Sequence, residues 1–232
     1  MNKQQILSRL DALADADKIG IKENKFGIYA NNSLGVYHKE LKAIAKEIGQ
    51  DSELAVALYD TGIYEGRILC SKIFDPEQMS EEQMDRWAAD FENWEICDSF
   101  CMGFFAKSTF ALPKAHEWSR AEREFVKRAG FVVMAAYGFA HKESGNSVFE
   151  EFLEPIEREA SDDRLYVKKA VNWALRNIGK RNTDLQVKAI NVANRLAVAD
   201  ATSARWIGKN ALNELTRSDV KIMDYPRHTY RP

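Results

Sequence analysis

Cysteine, histidine, proline and glycine are all scarce in this chain, and each scarcity removes a class of protein. Three cysteines, an odd count, argue against a disulfide framework and for a reducing cytoplasm. Four scattered histidines, none near Cys97 or Cys101, leave a zinc site short of ligands, since structural zinc takes four. With only 12 Gly and 5 Pro, and with period-2 alternation nearly absent, little in the sequence suggests strands and tight turns. No stretch approaches the roughly 18 apolar residues needed to span a bilayer, so no membrane partner is expected. The opening MNKQQILSRLDALADADKIG lacks the continuous apolar core of a secretory signal and reads as an amphipathic first helix.

What remains is helical. Hydrophobic residues at 45% and charged residues at 29% give 232 residues enough apolar material for a full core. In LKAIAKEIG, Leu41, Ile44, Ala45 and Ile48 share one stripe, and Gly49 stands at a natural C-cap. SEEQMDRWAADF opens with Ser80 and Gln83 in capping-box positions, and Asn93 is placed to cap the helix after it. Ser119 is expected to start a long helix whose second half, Phe131 to Tyr137, is continuously apolar and therefore buried. FEEFLEPIEREA, DDRLYVKKAVNWALRNIGKRN, TDLQVKAINVANRLAVAD and SARWIGKNALNELTR follow, then a polar tail, for about ten helices in all. Helix pairs recur at roughly 35–45 residues, the range of HEAT-type units, although internal sequence similarity is weak. The expected fold is all-α, an α-solenoid of HEAT-like repeats making a single domain over residues 1–232, with a globular bundle as the alternative.

A net charge of −2 hides an asymmetry. Residues 160–232 hold 14 Lys+Arg against 7 Asp+Glu, which leaves 19 basic and 28 acidic side chains to residues 1–159. Such a split suggests a polyanion-binding region on an acidic body. A solvated helix face gives the same count.

Three segments combine residue types suited to chemistry. NWEICDSFC spaces Trp94 and Asp98 by one helical turn, and Cys97 and Cys101 likewise on another face. The thiols read most simply as small buried hydrophobes; the pair of Trp94 and Asp98 is either packing beside a solvated acid or an aromatic–carboxylate unit. VKKAVNWALRNIGKR places Lys169, Trp173, Arg176 and Lys180 on one face, opposite Val171, Leu175 and Ile178. Either Trp173 packs in the core with cations snorkelling around it, or the strip meets phosphates with its cations and a sugar or base with its indole. EREFVKRAGF contributes Arg128, which has Glu124 one turn earlier as an ordinary ion-pair partner.

The Trp-x-x-x-Asp segment, FVKRAGFV and KKAVNWALRNIGKRN, in this order and spacing, resemble the AlkD-like family of DNA alkylation repair proteins. SLGVYHKELKAIAKEIG is similar to that family's early helix, with Lys42 where an arginine is often seen. The resemblance runs through most of the chain, and NWALRNIGKRN is its most characteristic block. It implies a solenoid whose concave basic side holds duplex DNA, and a glycosylase that releases cationic alkylated purines such as N3-methyladenine and N7-methylguanine. Matched residue by residue, Trp94 and Trp173 take two aromatic cleft positions, Asp98 the catalytic carboxylate, and Arg128 the arginine that grips the backbone at the lesion. Lys169, Arg176, Lys180 and Arg181 are the further DNA-binding cations. The expected partner is double-stranded DNA containing alkylated bases; no metal, organic cofactor or obligate protein partner is implied, and the expected location is cytoplasmic, at the nucleoid when DNA is bound. Families of this kind include members with little or no excision activity, so recognition of bent, branched or damaged DNA without catalysis is a second reading. A helical scaffold that anchors a protein at the Trp173 strip is a third.

Overall fold

The computed structural model describes residues 1–231, which are all-helical with no strand among them. They form two compact units, Met1–Ser108 and a second that begins at Thr109. No helix among them is long and apolar enough to cross a membrane.

The first unit contains α1 (Lys3–Ala12), α2 (Ala16–Phe26), α3 (His38–Ile48), α4 (Ser52–Tyr59), α5 (Tyr64–Ile73), α6 (Glu81–Ala89) and α7 (Trp94–Gly103). Short polar side chains start most of these helices. Asn2, Asp15, Asp51, Ser80 and Asn93 each accept a hydrogen bond from a backbone N–H in the first turn of α1, α2, α4, α6 and α7. Gly49 ends α3 at φ 77°, as the sequence predicts. Helices α3, α5 and α7 pack in succession, with α4 behind α5. The core is built from aromatic rings: Trp87, fully buried, meets Tyr59, Phe74, Phe100 and Phe104 with ring centroids 5.1–5.7 Å apart. Cys70, Cys97 and Cys101 are free thiols sealed in this core, and no cluster of three or more metal-ligating side chains occurs among the described residues.

The second unit contains α8 (Ala111–Trp118), α9 (Glu124–Ala140), α10 (Asn146–Glu151), α11 (Leu153–Arg158), α12 (Leu165–Gly179), α13 (Thr183–Ala197), α14 (Thr202–Leu215) and the short α15 (Arg227–Tyr230). Two boundaries differ from the sequence reading. Ser119 closes α8 instead of opening α9: its hydroxyl donates to the His116 carbonyl at 2.8 Å and accepts from Arg158 at 3.0 Å. FEEFLEPIEREA is two helices, because Pro155 has no N–H to bond back across the junction at Phe152. The apolar run Phe131–Tyr137 is buried along its whole length, as expected.

Helices α9, α12 and α14 pack in succession, with α13 against both α12 and α14. Polar contacts between them repeat at a near-constant separation. Arg128 donates to the Tyr166 carbonyl, and Asn172 to Asn210, each 38 residues on; Asn177 donates to the Ala135 carbonyl across 42. That is the HEAT-like period in hydrogen-bond form. In the first unit the same kind of contact is shorter, 29 residues from Tyr64 to Asn93 and 32 from Ser33 to Glu65.

Two glycines set helix approach by their missing side chains. A Cβ on Gly208 would lie 2.3 Å from the Ala197 nitrogen, and one on Gly103 would lie 2.4 Å from the Ser71 carbonyl oxygen. Both obstacles are backbone, so a helix must move to admit a methyl group. Gly103→Ala should therefore push α7 off α5 and destabilise the protein by about 1–3 kcal/mol, read as a lower urea midpoint, while Gly49→Ala, whose cost is the left-handed φ alone, should leave the α5–α7 contact intact.

Candidate functional site

Trp94 and Asp98 stand one turn apart at the start of α7. The cap fixes this end of the helix: the Asn93 side chain accepts from the Ile96 N–H at 3.1 Å and donates to the Tyr29 carbonyl at 3.0 Å. Trp94 is half-buried, and its indole Nε1–H donates to the Phe26 carbonyl at 3.0 Å. That carbonyl lies in the last turn of α2, where helix geometry leaves acceptors without intrahelical donors, so the bond holds the ring in one orientation. Trp94 and the half-buried Asp98 line an open cleft of about 510 Å³ with His38 and Lys42 of α3, Lys72 of α5 and Met102 of α7.

Between Trp94 and Asp98 in sequence, Glu95 turns inward and is 7% exposed. Its carboxylate accepts from Lys22 Nζ at 3.1 Å and from the Tyr64 hydroxyl at 2.9 Å, and His38 Nε2 lies 3.2 Å from its other oxygen. Burial on its own raises the pKa of such a group; the contacts with His38, Lys22 and Tyr64 outweigh it and hold the carboxyl at about 2. Lys22 is itself only 5% exposed. Lys72 responds the other way. Burial, then the neighbouring Lys42 charge, push its ammonium down to about 8, against a smaller pull from Glu95. Neither Glu95 nor Lys72 stands out in the sequence, because nothing in helical periodicity marks a charged residue that will face inward.

In the second unit α12 carries the expected strip. Lys169 is exposed, Trp173 and Arg176 are half-buried, and Lys180 ends the helix half-buried, while Val167, Val171, Leu175 and Ile178 are in the core. Neither Trp94 nor Trp173 is sealed in an interior. Arg176 and Lys180 both pair with the Glu214 carboxylate of α14, Lys180 at 2.6 Å. Arg128 is 6% exposed and donates through Nη1 to the Tyr166 carbonyl at 2.7 Å, two turns before Trp173 on α12.

Arg181 is a correction. The sequence reading places it among the DNA-binding cations, but it is 1% exposed, and its guanidinium donates to the carbonyls of Gly138, His141, Lys142 and Ser144 at 2.8–3.1 Å. It also lies 4.0 Å from the Phe149 ring centroid. The register explains the difference: the block turns at the end of α12, so Arg181, the residue after Lys180, points back beneath the loop instead of along the strip. Burial lowers its pKa to about 10, which leaves it charged at neutral pH.

Comparison with known proteins supplies a frame for these features. The family model described as DNA alkylation repair enzyme matches residues 6–215. A solved structure described as "A new family of proteins related to the HEAT-like repeat DNA glycosylases with affinity for branched DNA structures" is similar in fold, with a TM-score of 0.71 and 24% sequence identity over 90% of this chain and 94% of that one. No curated protein matches the chain.

Two outcomes test this reading of the buried charges. Glu95 has a folded-state pKa of about 2, below its ordinary 4.5, so its contribution is fully present above pH 4.5 and is lost as pH falls toward 2. Acid unfolding should therefore remove roughly 2–4 kcal/mol through this group, and Glu95→Gln should flatten that limb while lowering stability at pH 7, since it strands Lys22. Arg181→Met should lower the urea midpoint by about 3 kcal/mol equivalent, because it leaves buried carbonyls without donors, and should not reduce DNA affinity beyond what unfolding accounts for.

Proposed function

We propose, because the chain belongs to the DNA alkylation repair enzyme family, that it binds double-stranded DNA and excises cationic alkylated purines, N3-methyladenine and N7-methylguanine among them. The observation that supports this reading best is one half-buried carboxylate, Asp98, beside an indole whose orientation is fixed, Trp94, in a cleft that also presents Lys42 and Lys72.

The chemistry follows from the charge of the substrate. An unmodified base leaves as an anion unless it is protonated, which is why glycosidases commonly use one carboxylic acid on the leaving group and a second carboxylate on the sugar or water. A purine alkylated on a ring nitrogen already carries a positive charge and departs neutral, so a general acid is unnecessary. What remains is the positive character that develops on the deoxyribose as the C1′–N bond breaks. A single carboxylate close to the sugar stabilises it and orients the water that attacks C1′. Asp98 takes that role. Trp94 adds cation–π attraction of roughly 0.5–2 kcal/mol and excludes water from the carboxylate. Trp173 takes the second aromatic position, and Lys169, Arg176 and Lys180 lie along its helix face as phosphate contacts. Arg128 secures the first turn of α12 through the Tyr166 carbonyl and, as the resemblance implies, serves the backbone at the lesion.

Such a site discriminates by charge as much as by shape. A neutral base leaves too slowly for a site without a general acid to remove it. A second reading is binding of branched DNA without excision, since the structurally similar protein belongs to a family with affinity for branched DNA structures.

Purified protein incubated with methylated duplex DNA, with and without chelator, should release N7-methylguanine, and Asp98→Asn should cut the rate by 100-fold or more while leaving duplex affinity equal or higher, because a negative charge near the backbone is gone. Equal loss of affinity and rate would make Asp98 a structural residue. No release by the wild-type protein, together with tight binding of four-way junctions, would establish the second reading.

A further inference from the structure

Residues 1–108 hold 19 Asp+Glu against 12 Lys+Arg, so their lysines have acids in excess to pair with. Arg9, Lys18, Lys22, Arg67 and Arg86 each take a carboxylate partner. Seven lysines do not: among the described residues Lys3, Lys25, Lys39, Lys42, Lys46, Lys72 and Lys107 make no salt bridge or side-chain hydrogen bond. The last four of these converge. Beside the Asp98 cleft lies a second cavity of about 310 Å³, lined by Lys46 of α3, Lys72 of α5 and Lys107 just beyond α7, and no Asp or Glu lines it. Ser71, Lys72 and Gly103 line both cavities, which therefore share a wall.

Gathering unpaired like charges is unfavourable in the absence of a ligand, and at Lys72 the charge of Lys42 adds to the burial that lowers its proton affinity. The two cavities also differ in chemistry in the way that adjoining parts of a nucleotide do. One offers a carboxylate, an indole and a thioether beside Lys42 and Lys72, suited to a sugar that becomes cationic; the other offers ammonium groups with Gln50 and Ser71 and no carboxylate, suited to a phosphodiester.

We infer that the carboxylate-free cavity seats a backbone phosphate of the DNA strand whose deoxyribose lies against Asp98, with Lys72 on the shared wall as the positioning residue between them. This inference rests on the DNA reading given above and extends it to the acidic first unit. The groups that face Lys72 are His38, Lys42 and Lys46 from α3, Glu95 and Asp98 from α7, and Lys107 beyond it. A phosphate delivered among them favours the protonated amine, so binding takes up a proton as Lys72 is restored to full charge. Affinity then falls as pH rises through about 8.

The test uses the full chain and an undamaged duplex, so its outcome does not depend on whether methylated purines are released. Lys46→Gln, Lys72→Gln and Lys107→Gln should each weaken binding about five-fold at low salt and reduce the slope of log affinity against log salt by roughly 0.9 for each phosphate no longer neutralised. Lys3→Gln, on exposed α1, should change neither. Lys72→Arg should keep the affinity and lose most of the decline between pH 7 and 9, because arginine stays charged throughout. Unchanged affinity and slope in folded Lys46→Gln/Lys107→Gln protein would overturn the inference, as would a pH decline in Lys72→Arg equal to that of the wild type. Displacement of the duplex by inorganic phosphate or mononucleotide as readily as by single-stranded oligonucleotide at equal phosphate concentration would also overturn it, by assigning the seat to small phosphate compounds.

Discussion

A buried carboxylate in the first turn of a helix is the constraint on which the first unit depends. Glu95 draws α2, α3, α5 and α7 to one point through Lys22, His38, Tyr64 and its own helix. Its negative charge also sits at the positive end of the α7 dipole. The arrangement has a counterpart thirty residues earlier. Glu65, fully buried in the first turn of α5, accepts from the backbone N–H groups of Leu34, Gly35 and Val36 and from the Ser33 hydroxyl. In both helices an aromatic residue opens the first turn and a glutamate follows it, Tyr64–Glu65 in α5 and Trp94–Glu95 in α7. The two helices thus share a local pattern, an inward glutamate directly after an aromatic first residue. In α5 the aromatic is sealed in the core; in α7 it is the half-buried indole at the cleft.

The helical class, the cap at Asn93, the stop at Gly49 and the buried run from Phe131 to Tyr137 all follow from local rules that need no knowledge of neighbours. The strip on α12 follows as well, since 3.6-residue periodicity alone places Lys169, Trp173 and Arg176 together. Ser119 and Arg181 are different. A serine between two helical stretches can close the first or open the second; here its hydroxyl donates back to the His116 carbonyl and accepts from Arg158 of α11. Arg181 follows a basic strip in sequence, but the chain has already left the helix, and the carbonyls that claim its guanidinium lie 37–43 residues away. Partners that distant are invisible to any window on the sequence.

Charge counts and charge placement differ for the same reason. Summed over residues 1–159 the balance is acidic, which speaks against a polyanion along that part of the chain. Placement reverses the local sign: most acids of the first unit lie elsewhere, and the lysines of α3 and α5 meet where carboxylates are few. In the second unit the opposite happens. The basic excess is real, yet Arg176 and Lys180 share Glu214, so part of the strip's charge is already compensated. A phosphate approaching that strip competes with an existing ion pair, whereas one approaching Lys46, Lys72 and Lys107 does not.

The same reasoning separates the two acids of α7. Glu95 and Asp98 are less than one turn apart, and both are within reach of cations, but their surroundings differ. Glu95 is held ionised by Lys22 and His38 in a site that water scarcely enters, so its field is already neutralised at short range. A sugar acquiring positive charge would gain little from it and could not approach it. Asp98 faces the cleft, where a cationic transition state can come close and where Trp94 and Met102 lower the local dielectric around the contact. Lys42 and Lys72 in the same lining keep the resting cleft from attracting stray cations, and a phosphate drawn to them would in turn offset their repulsion of a developing positive charge. The buried acid fixes the helix; the half-buried one, carried by the same helix, lines the cleft.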